Sequence, residues 1–442
     1  MNERQLKSII DRNNLKSREL VIQYINANPE NLSISELSRI AELVNNSRVD
    51  TAAYYTDQEL ISHITNNLPD INKDEIRILE PSCGVANFVK PLIEKYSKNA
   101  KKLIIDINDL DYKSILVAKT LIQKQDIPQN VTINYMNFDF LSYAILGKYD
   151  LVVGNPPFLK LNKKNGLAEY SDAFDDYTTK NLAGFFLQKA CELGENVCMI
   201  MPKYFLSNND FEVTRKRVSK YSINRIDDFG EKGFKGVLIE TIAIYIKTNE
   251  RPTKTLTYSI TRNIENIQMQ KDLTDSRYPY WLIYRNDFFN KIASKMKFNV
   301  FTVFRDRQLS NSKLTTEKAI RVLKSRNIKR DGTGIIDIEN YDRYVTPDNL
   351  KGLTIESFLE DDQVYLTPNM TYYPRVIKKP KGYVVNGSIA ILIPKEKIKV
   401  SEKQRKFLCS SDFEKFYAIA RNYGTRSLNI DKNSVFFFGL YK

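Results

Sequence analysis

Residues 150–158 constrain the fold of this chain more than any other stretch. Residues 151–154 form an apolar run that ends in glycine, which is typical of an inner strand of a parallel sheet. An Asn-Pro-Pro-Phe sequence follows at residues 155–158, and its two prolines fix φ and remove two backbone N–H donors. The sequence therefore predicts a stiff turn at the carboxyl end of a strand, where open α/β sheets bind their ligands.

This turn carries groups that suit one kind of chemistry. The side-chain oxygen of Asn155 and the carbonyl of Pro156 can each accept one N–H of an exocyclic amino group on a nucleobase. Those two bonds draw the nitrogen toward tetrahedral geometry and free its lone pair, which is otherwise delocalised into the ring. The exposed face of Phe158 can stack on the base. A Pro-Pro turn with a core phenylalanine is the plain alternative.

Asn-Pro-Pro-Phe after an apolar strand resembles the catalytic tetrapeptide of S-adenosylmethionine-dependent amino-methyltransferases. The resemblance implies that Asn155, Pro156, Pro157 and Phe158 are catalytic and that Asn155 also borders the cofactor. Attack on the methyl group is then direct and needs no strong base, which agrees with a chain that contains one histidine.

A second motif lies at residues 76–88, which read as strand, tight turn and helix. Gly84 lets the backbone approach a ligand, and the following helix places its N-terminus there. The segment resembles the Glu-Pro-x-x-Gly-x-Gly-x-Phe cofactor loop of the same family, with Ala86 where the second glycine is usual. The resemblance implies Glu80, Pro81 and Gly84 as cofactor-binding residues.

Two further strands end in acidic residues. Asp109 follows the strand at residues 102–108, and a carboxylate there can accept hydrogen bonds from ribose hydroxyls in a doubly wound sheet. Asp109-Leu-Asp111 resembles the family's Glu-Ile-Asp, which implies Asp109 as the ribose ligand. Asp139 matches the acid that bonds the adenine amino group of the cofactor, and Phe140 is expected to line that pocket.

Two more assignments come from the resemblance. Tyr55-Thr56 resembles the Tyr-Thr-Pro segment that covers the methionine end of the cofactor, although Asp57 replaces the proline. The family also places an aromatic residue before its last strand to sandwich the extruded base. Phe234 is our candidate for that residue, with Phe229 as the alternative.

The net charge of +14 is concentrated in the carboxyl part of the chain. Residues 251–442 hold 35 Lys and Arg against 20 Asp and Glu, whereas residues 1–250 have a net charge of −1. This asymmetry indicates a polyanion-binding module attached to a catalytic one, with a merely soluble basic surface as the alternative. The residues expected to contact DNA are Arg321, Lys324, Arg326, Lys329, Arg330, Arg375, Lys378 and Lys379.

Three domains are predicted: a helical extension at residues 1–50, a catalytic domain at residues 51–250 and a target-recognition domain at residues 251–442. The catalytic domain is predicted to be a doubly wound, Rossmann-like α/β fold, and the last domain to be mixed α+β, with residues 384–394 forming strand, turn and strand. The motif order resembles the gamma-type adenine amino-methyltransferases of bacterial restriction–modification systems.

The expected function is methyl transfer from S-adenosylmethionine to the N6 amino group of an adenine flipped out of double-stranded DNA. Cytosine N4, adenine in RNA, and a non-catalytic DNA-binding subunit with a decayed cofactor loop remain alternatives. A separate restriction endonuclease is an expected partner of a monomeric, cytoplasmic enzyme. The sequence lacks an apolar leader and a run long enough to span a membrane, and its scattered cysteines supply no recognisable metal site.

Overall fold

The structure, a computed structural model, describes residues 1–45, 58–145, 147–233, 239–371, 373–396, 398–425 and 429–442. It divides into two compact units, Met1–Lys271 and Asp272–Lys442. The first unit continues past residue 250, where the sequence places a domain boundary. The reason is that residues 254–269 form two more strands of the first unit's sheet.

Nine strands form that sheet. They are β1 Glu75–Glu80, β2 Lys102–Asn108, β3 Val131–Met136, β4 Tyr149–Gly154, β5 Gly194–Pro202, β6 Ser222–Gly230, β7 Thr241–Lys247, β8 Lys254–Ser259 and β9 Ile264–Met269. Their spatial order is β3-β2-β1-β4-β5-β7-β6-β8-β9. Neighbouring strands from β3 to β5 in this order are parallel, and β7 is antiparallel to both β5 and β6.

The strand order reverses between β1 and β4, which lie side by side although β2 and β3 intervene in the chain. Such a switch point opens a crevice at the carboxyl ends of the two strands. The last four residues of β4 are buried, as expected for an inner parallel strand. The predicted Rossmann-like α/β fold is confirmed.

Helices connect the strands of the first unit. They are α1 Glu3–Arg12, α2 Arg18–Ala27, α3 Ile34–Val44, α4 Gln58–Asn67, α5 Val89–Tyr96, α6 Tyr112–Gln123, α7 Leu167–Phe174, α8 Leu182–Leu193, α9 Glu212–Val218 and the short α10 Gln270–Leu273. Two 3₁₀ turns, Lys203–Leu206 and Asn209–Phe211, follow β5.

The three helices at the amino terminus pack on each other and also on α6. A capping box starts α3, since Ser33 Oγ accepts the N–H of Glu36 while Glu36 Oε2 accepts the N–H of Ser33. The apolar faces of α1, α2 and α3 share one core with Val117 and Leu121 of α6. This packing brings α2 and α3 next to the strand ends of the sheet.

The second unit contains smaller sheets. Its strands are β10 Met296–Lys297, β11 Phe301–Phe304, β12 Ile320–Leu323, β13 Arg343–Val345, β14 Tyr365–Pro368, β15 Ile377–Lys378, β16 Tyr383–Val385, β17 Ile389–Pro394 and β18 Leu440–Tyr441. Its helices are α11 Asp287–Ala293, α12 Pro347–Leu350, α13 Glu402–Phe407 and α14 Ser411–Ala420. Shorter 3₁₀ turns are Asn311–Lys313, Ser325–Asn327, Thr354–Phe358 and Ser434–Phe437.

The two strands predicted within residues 384–394 exist, but they do not pair with each other. β16 joins β12 and β13 in one sheet, whereas β17 lies between β11 and β14 in another. The turn between them therefore passes the chain from one sheet to the next. In the part of the chain that the structure describes, no helix has both the length and the apolar composition needed to cross a bilayer.

Candidate active site

A cavity of about 530 Å³ lies at the carboxyl ends of β1, β2 and β4. The loop after β1, the segments after β2 and β3, and the turn after β4 all contribute to its wall. The predicted site residues that line it are Glu80, Pro81, Gly84, Asp109, Asp139, Phe140, Asn155 and Pro157. The fold thus brings together motifs that are far apart in the sequence.

One buried amide holds three strand ends together. Asn108 Nδ2 donates to the carbonyls of Pro81 at 3.2 Å and Phe138 at 3.1 Å, and Asn108 Oδ1 accepts the N–H of Phe138 at 3.1 Å. The N–H of Cys83 donates to the Asn108 carbonyl at 2.9 Å. Asn108 was not predicted from the sequence, although an amide that ends an apolar strand beside Asp109 was a usable signal.

Glu80 has an unpaired oxygen facing this region. Its side chain is 2% exposed, and among the described residues no hydrogen-bond donor reaches Oε2. Burial, together with the nearby charge of Asp109, raises the pKa of Glu80 well above its usual range. Leaving such an oxygen without a partner costs about 1–3 kcal/mol, so the position favours a ligand that donates a hydrogen bond or carries positive charge.

Asp109 is fixed by backbone donors. Its Oδ2 accepts the N–H of Gly84 at 2.9 Å and its Oδ1 accepts the N–H of Asp111 at 2.9 Å. Burial raises the pKa of Asp109 to about 6, against the opposing effects of the Gly84 N–H and the Arg18 charge. Each oxygen keeps a second lone pair, so the carboxylate can still accept hydrogen bonds from two ligand hydroxyls.

The loop after β1 contains two residues in the left-handed region. Gly84 has φ +55° and Ala86 has φ +61°. A Cβ added at Gly84 would meet no atom within 4 Å, so glycine leaves space at the cavity wall. Ala86 adopts the left-handed conformation at a cost of about 1–2 kcal/mol, and the loop therefore keeps its shape despite the missing second glycine.

Asp139 and Phe140 form another part of the wall. Asp139 Oδ2 accepts hydrogen bonds from the hydroxyls of Ser142 at 2.7 Å and Tyr170 at 3.1 Å. The ring of Phe140 packs on Phe186 with the centroids 5.0 Å apart. These contacts fix a carboxylate beside an aromatic surface, which suits a planar ligand with an amino group.

The turn after β4 is held from two sides. Ser82 Oγ donates to the Asn155 carbonyl at 3.2 Å, and Asn181 Nδ2 donates to the Phe158 carbonyl at 3.1 Å. Asn155 and Pro157 line the cavity, while Pro156 is buried. Phe158 is 4% exposed and not the exposed ring that the sequence predicts, because the segment folds its side chain inward.

Helix α3 contacts the cofactor loop directly. Asn87 Oδ1 accepts the hydroxyl of Ser38 at 2.6 Å, and Asn87 Nδ2 donates to Glu42 Oε1 at 2.9 Å. Glu42 also lines the cavity. No site residue is predicted in this helix from the sequence, since its capping and periodicity indicate only an ordinary amphipathic helix.

Helix α2 makes a comparable contact with the loop after β2. Arg18 forms an ion pair with Asp111, and its Nη2 donates to Asn45 Oδ1 at 2.5 Å. Asn45 and Asp111 both line the cavity. The amino-terminal helices are therefore part of the site.

A buried ion-pair cluster follows β5. Lys203 Nζ lies 2.8 Å from Asp228 Oδ2 and 3.4 Å from Glu240 Oε1, and all three residues are buried. Asp228 Oδ1 also accepts the N–H of Gly230 at 3.0 Å, and the Lys203 N–H donates to the Glu240 carbonyl at 2.8 Å. One lysine thus fixes residues on both sides of segment 231–239.

Three predicted site residues lie outside the described residues. They are Tyr55, Thr56 and Phe234. Phe229, the alternative to Phe234, is fully buried and meets the ring of His63 edge to face, with the centroids 6.1 Å apart. Its ring is therefore not available to a base.

Some of the predicted DNA-contacting cations have structural partners. Arg321 forms ion pairs with Asp342 and, at 3.0 Å, with Asp337. Arg375 donates from Nε to the Ile328 carbonyl at 3.0 Å, and burial lowers its pKa.

Lys379 is 1% exposed and donates to the carbonyls of Leu359 at 3.1 Å and Pro380 at 2.9 Å. Burial lowers the pKa of Lys379.

Others are exposed or rest on tyrosine rings. Arg326, Lys329, Arg330 and Lys378 are exposed, and Lys324 is half-buried. The Lys324 ammonium lies 3.6 Å from the centroid of the Tyr341 ring, and the Arg330 guanidinium lies 4.1 Å from that of Tyr373. Lys378 Nζ is 3.8 Å from Asp362.

The site fits S-adenosylmethionine on its own chemistry. Asp109 offers free lone pairs to ribose hydroxyls, and Asp139 with Phe140 offers a carboxylate and a ring to a planar base. Glu80 supplies a buried carboxyl oxygen suited to a cationic ligand group. Bound there, the cofactor supplies an electrophilic methyl group on a positively charged sulfur.

Comparisons with known proteins agree with this reading. The model of the Eco57I restriction-modification methylase family matches residues 22–234. The Type II methyltransferase M.VspI of Vibrio sp. (strain 343) is 24% identical over 278 residues, which cover 61% of this chain and 66% of that relative.

Solved structures also align with parts of this chain. A class I S-adenosylmethionine-dependent methyltransferase from Listeria monocytogenes aligns with a TM-score of 0.43 at 17% identity, covering 52% of this chain and 75% of that one. The Type IIL restriction-modification enzyme MmeI in complex with DNA aligns with a TM-score of 0.42 at 11% identity, covering 92% of this chain and 71% of that one.

S-adenosylmethionine is the expected cofactor of such a methylase, and the predicted resemblance is confirmed by the family match. Residues 22–234 carry the cavity and the Asn-Pro-Pro-Phe turn, and this segment is the part of the chain that matches the model of the Eco57I restriction-modification methylase family.

Proposed function

We propose that the protein transfers a methyl group from S-adenosylmethionine to the N6 amino group of an adenine flipped out of double-stranded DNA. The observation that carries this proposal is the position of Asn155. It stands at the end of β4 and lines the same cavity as Glu80, Gly84 and Asp109. An acceptor for the target amine therefore borders the pocket that suits the cofactor.

The residues of the turn would act by positioning. The Asn155 side-chain oxygen and the Pro156 carbonyl would accept the two N–H groups of the target amine, which increases the nucleophilicity of the nitrogen. Holding the amine in line with the methyl group turns a bimolecular reaction into an effectively unimolecular one, and this effect alone can lower the barrier by about 7–11 kcal/mol. Stacking by Phe234 stays part of the proposal, whereas the Phe158 ring, 4% exposed, would stack on the base only after its side chain rotates outward.

Ala86 bears on the alternative of a decayed cofactor loop. Ala86 adopts a left-handed φ of +61°, the backbone conformation that a glycine favours, and the Gly84 N–H donates to Asp109 at 2.9 Å. Both observations favour a working pocket. A separate restriction endonuclease, a monomeric state and a cytoplasmic location also belong to this proposal.

The decisive experiment is methyl transfer with the purified full-length protein. Unmethylated duplex DNA is incubated with S-adenosylmethionine carrying a labelled methyl group, and the digested nucleosides are separated. We expect label in N6-methyladenine for the protein and none for Asn155→Ala. Label in N4-methylcytosine, or transfer only to RNA, contradicts the proposed substrate, and cofactor binding without any transfer contradicts the activity.

A further inference from the structure

We propose that one face of the second unit, built from four loops, grips the DNA duplex and reads its bases. The four-loop face consists of residues 324–330, 369–375, 386–388 and 429–430, with residue 372 outside the described part. The inference rests on the proposed function and selects, from eight basic residues predicted from sequence, those that contact DNA. It also adds Met370 and Tyr373 as side chains that contact bases.

Arg375 joins two of these loops. It donates from Nε to the Ile328 carbonyl at 3.0 Å and from Nη2 to the Ser325 carbonyl at 3.1 Å. The N–H of Ser325 in turn donates to Ser388 Oγ at 3.0 Å. Since Nε and Nη2 both donate inside the protein and the residue is half-buried, we assign Arg375 to building the face and not to phosphate binding.

Asn369 joins the remaining loops. Its N–H donates to the Ser388 carbonyl at 2.9 Å, and its Nδ2 donates to the Gly387 carbonyl at 3.1 Å and to Asn429 Oδ1 at 2.9 Å. The N–H of Ile430 donates to the Asn369 carbonyl at 3.2 Å. Loop 369–375 is therefore fixed at both ends, which keeps its tip in place for contact with a partner.

The charge of the face is positive at its surface. Arg326, Lys329 and Arg330 are exposed, and Arg330 stacks on Tyr373 with its guanidinium 4.1 Å from the ring centroid. Stacking restrains the guanidinium through its flat face, and its N–H groups, which lie in the guanidinium plane, are the part that can bind a phosphate. Asp331 is an exposed acid beside them, and its Oδ1 accepts the N–H and the hydroxyl of Thr333.

Two large side chains project from the tip of loop 369–375. Met370 is 59% exposed and Tyr373 is 43% exposed. The hydroxyl of Thr371 donates to the Tyr373 carbonyl at 2.8 Å and restrains the tip. Apolar side chains within a basic surface can contact thymine methyl groups or wedge between base steps, so we assign Met370 and Tyr373 to base contacts and the cations to phosphates.

A salt series on the full-length protein tests the phosphate contacts. Binding to a short fluorescent duplex of mixed sequence is measured by anisotropy for the protein and for a variant with Arg326→Gln, Lys329→Gln and Arg330→Gln. We expect the slope of log K against log salt to fall by about 2.7, because each neutralised phosphate contributes about 0.9.

A second triple variant, Lys291→Gln, Lys295→Gln and Lys297→Gln, removes the same charge from α11, β10 and the turn between them. It is the matched control and is expected to keep the slope. Equal slopes for the two triple variants overturn the inference, as does preferential displacement of the duplex by structured RNA of equal length.

The base contacts need a second readout. Plasmid DNA from cells that express each variant is sequenced by a method that detects modified bases. Met370→Ala and Tyr373→Ala should relax or change the methylated sequence, whereas the first triple variant should lower methylation at all sites. An unchanged methylated sequence in both single variants overturns the assignment of base contacts. If the wild-type protein neither methylates DNA nor binds the duplex, the proposed function itself is contradicted.

Discussion

The carboxylates around the cavity of the first unit and the cations on the four-loop face of the second unit are held in opposite ways. Glu80 is buried and Asp109 is half-buried, and burial raises the pKa of both carboxyl groups, so their charge responds strongly to the surroundings. Arg326, Lys329 and Arg330 stay in water on a fixed platform. The affinity of the cavity for the cofactor should therefore depend on pH and little on salt. The affinity of the four-loop face for DNA should depend steeply on salt.

The largest effect is expected for a variant that separates binding of the target amine, at the turn after β4, from binding of the cofactor. Asn155→Ala should lower methyl transfer by on the order of 10²–10³-fold or more, because it removes one of two groups that position the target amine. Cofactor affinity should be nearly unchanged, as measured by calorimetry. Loss of cofactor binding, with transfer restored at saturating cofactor, would show that Asn155 binds the cofactor and not the target amine.

Asp109→Ala should weaken cofactor binding by about 2–3 kcal/mol, because charge-assisted hydrogen bonds to ribose hydroxyls are lost. Titration of the cofactor at low and high salt should give the same loss. Asp111→Ala is a neighbouring control that removes a carboxylate from the cavity rim but leaves the Asp109 acceptors. An unchanged affinity in Asp109→Ala would disprove the ribose assignment.

Lys379→Ala tests the division among the cations of the second unit. We expect a loss of about 2 kcal/mol in the free energy of unfolding, because the packing of a buried side chain and its hydrogen bonds to the half-buried Leu359 and Pro380 carbonyls are lost. The salt slope of DNA binding should stay the same. Chemical denaturation and anisotropy give the two values, and a reduced slope with unchanged stability would place Lys379 on the DNA.

Cofactor affinity should fall as the pH drops below about 6, the raised pKa of Asp109. The sign follows because only the ionised carboxylate accepts two hydroxyl hydrogen bonds, so binding is strongest above that pKa. Well below it, affinity should fall about tenfold per pH unit. Asp109→Asn should lack this pH dependence. A wild-type affinity that stays constant through pH 6 would contradict the role of the ionised Asp109 carboxylate in cofactor binding.

The smallest expected effect is that of Ala86→Gly. Glycine tolerates φ of +61° at no steric cost, which offsets its greater freedom in the unfolded chain and leaves a gain of about 0.5–1 kcal/mol in stability. Thermal unfolding checks this value. A loss of stability would mean that the buried methyl group contributes more through packing than the backbone strain costs.

Motif spacing predicted the cavity well because strand ends in a parallel sheet converge by geometry. Once residues 76–88, 102–111 and 150–158 are recognised as strand and turn, Glu80, Asp109 and Asn155 must meet at one edge. Asn108, Asn87 and the helix contacts of Arg18 escaped prediction. Their roles depend on hydrogen bonds between segments, and nothing in their local sequence distinguishes them from ordinary polar residues.

Charge counting predicted less about the second unit. A count places Lys379 and Lys329 in one class, but the fold buries the first and exposes the second. Burial is set by packing against distant segments, which local sequence does not report. The first unit extends beyond the boundary predicted at residue 250 for a similar reason, since β8 and β9 pair with a sheet whose other strands lie earlier in the chain.

Glu80 Oε2, which has no hydrogen-bond donor among the described residues, bears on the lifetime of the protein in its host. A buried group without a donor lowers the stability of the ligand-free form, and a ligand that satisfies it stabilises the native state by mass action. Proteases act on chains that open, so the protein would be turned over fastest when S-adenosylmethionine is scarce. Protein abundance would then follow the methyl supply of the cell without any dedicated regulator.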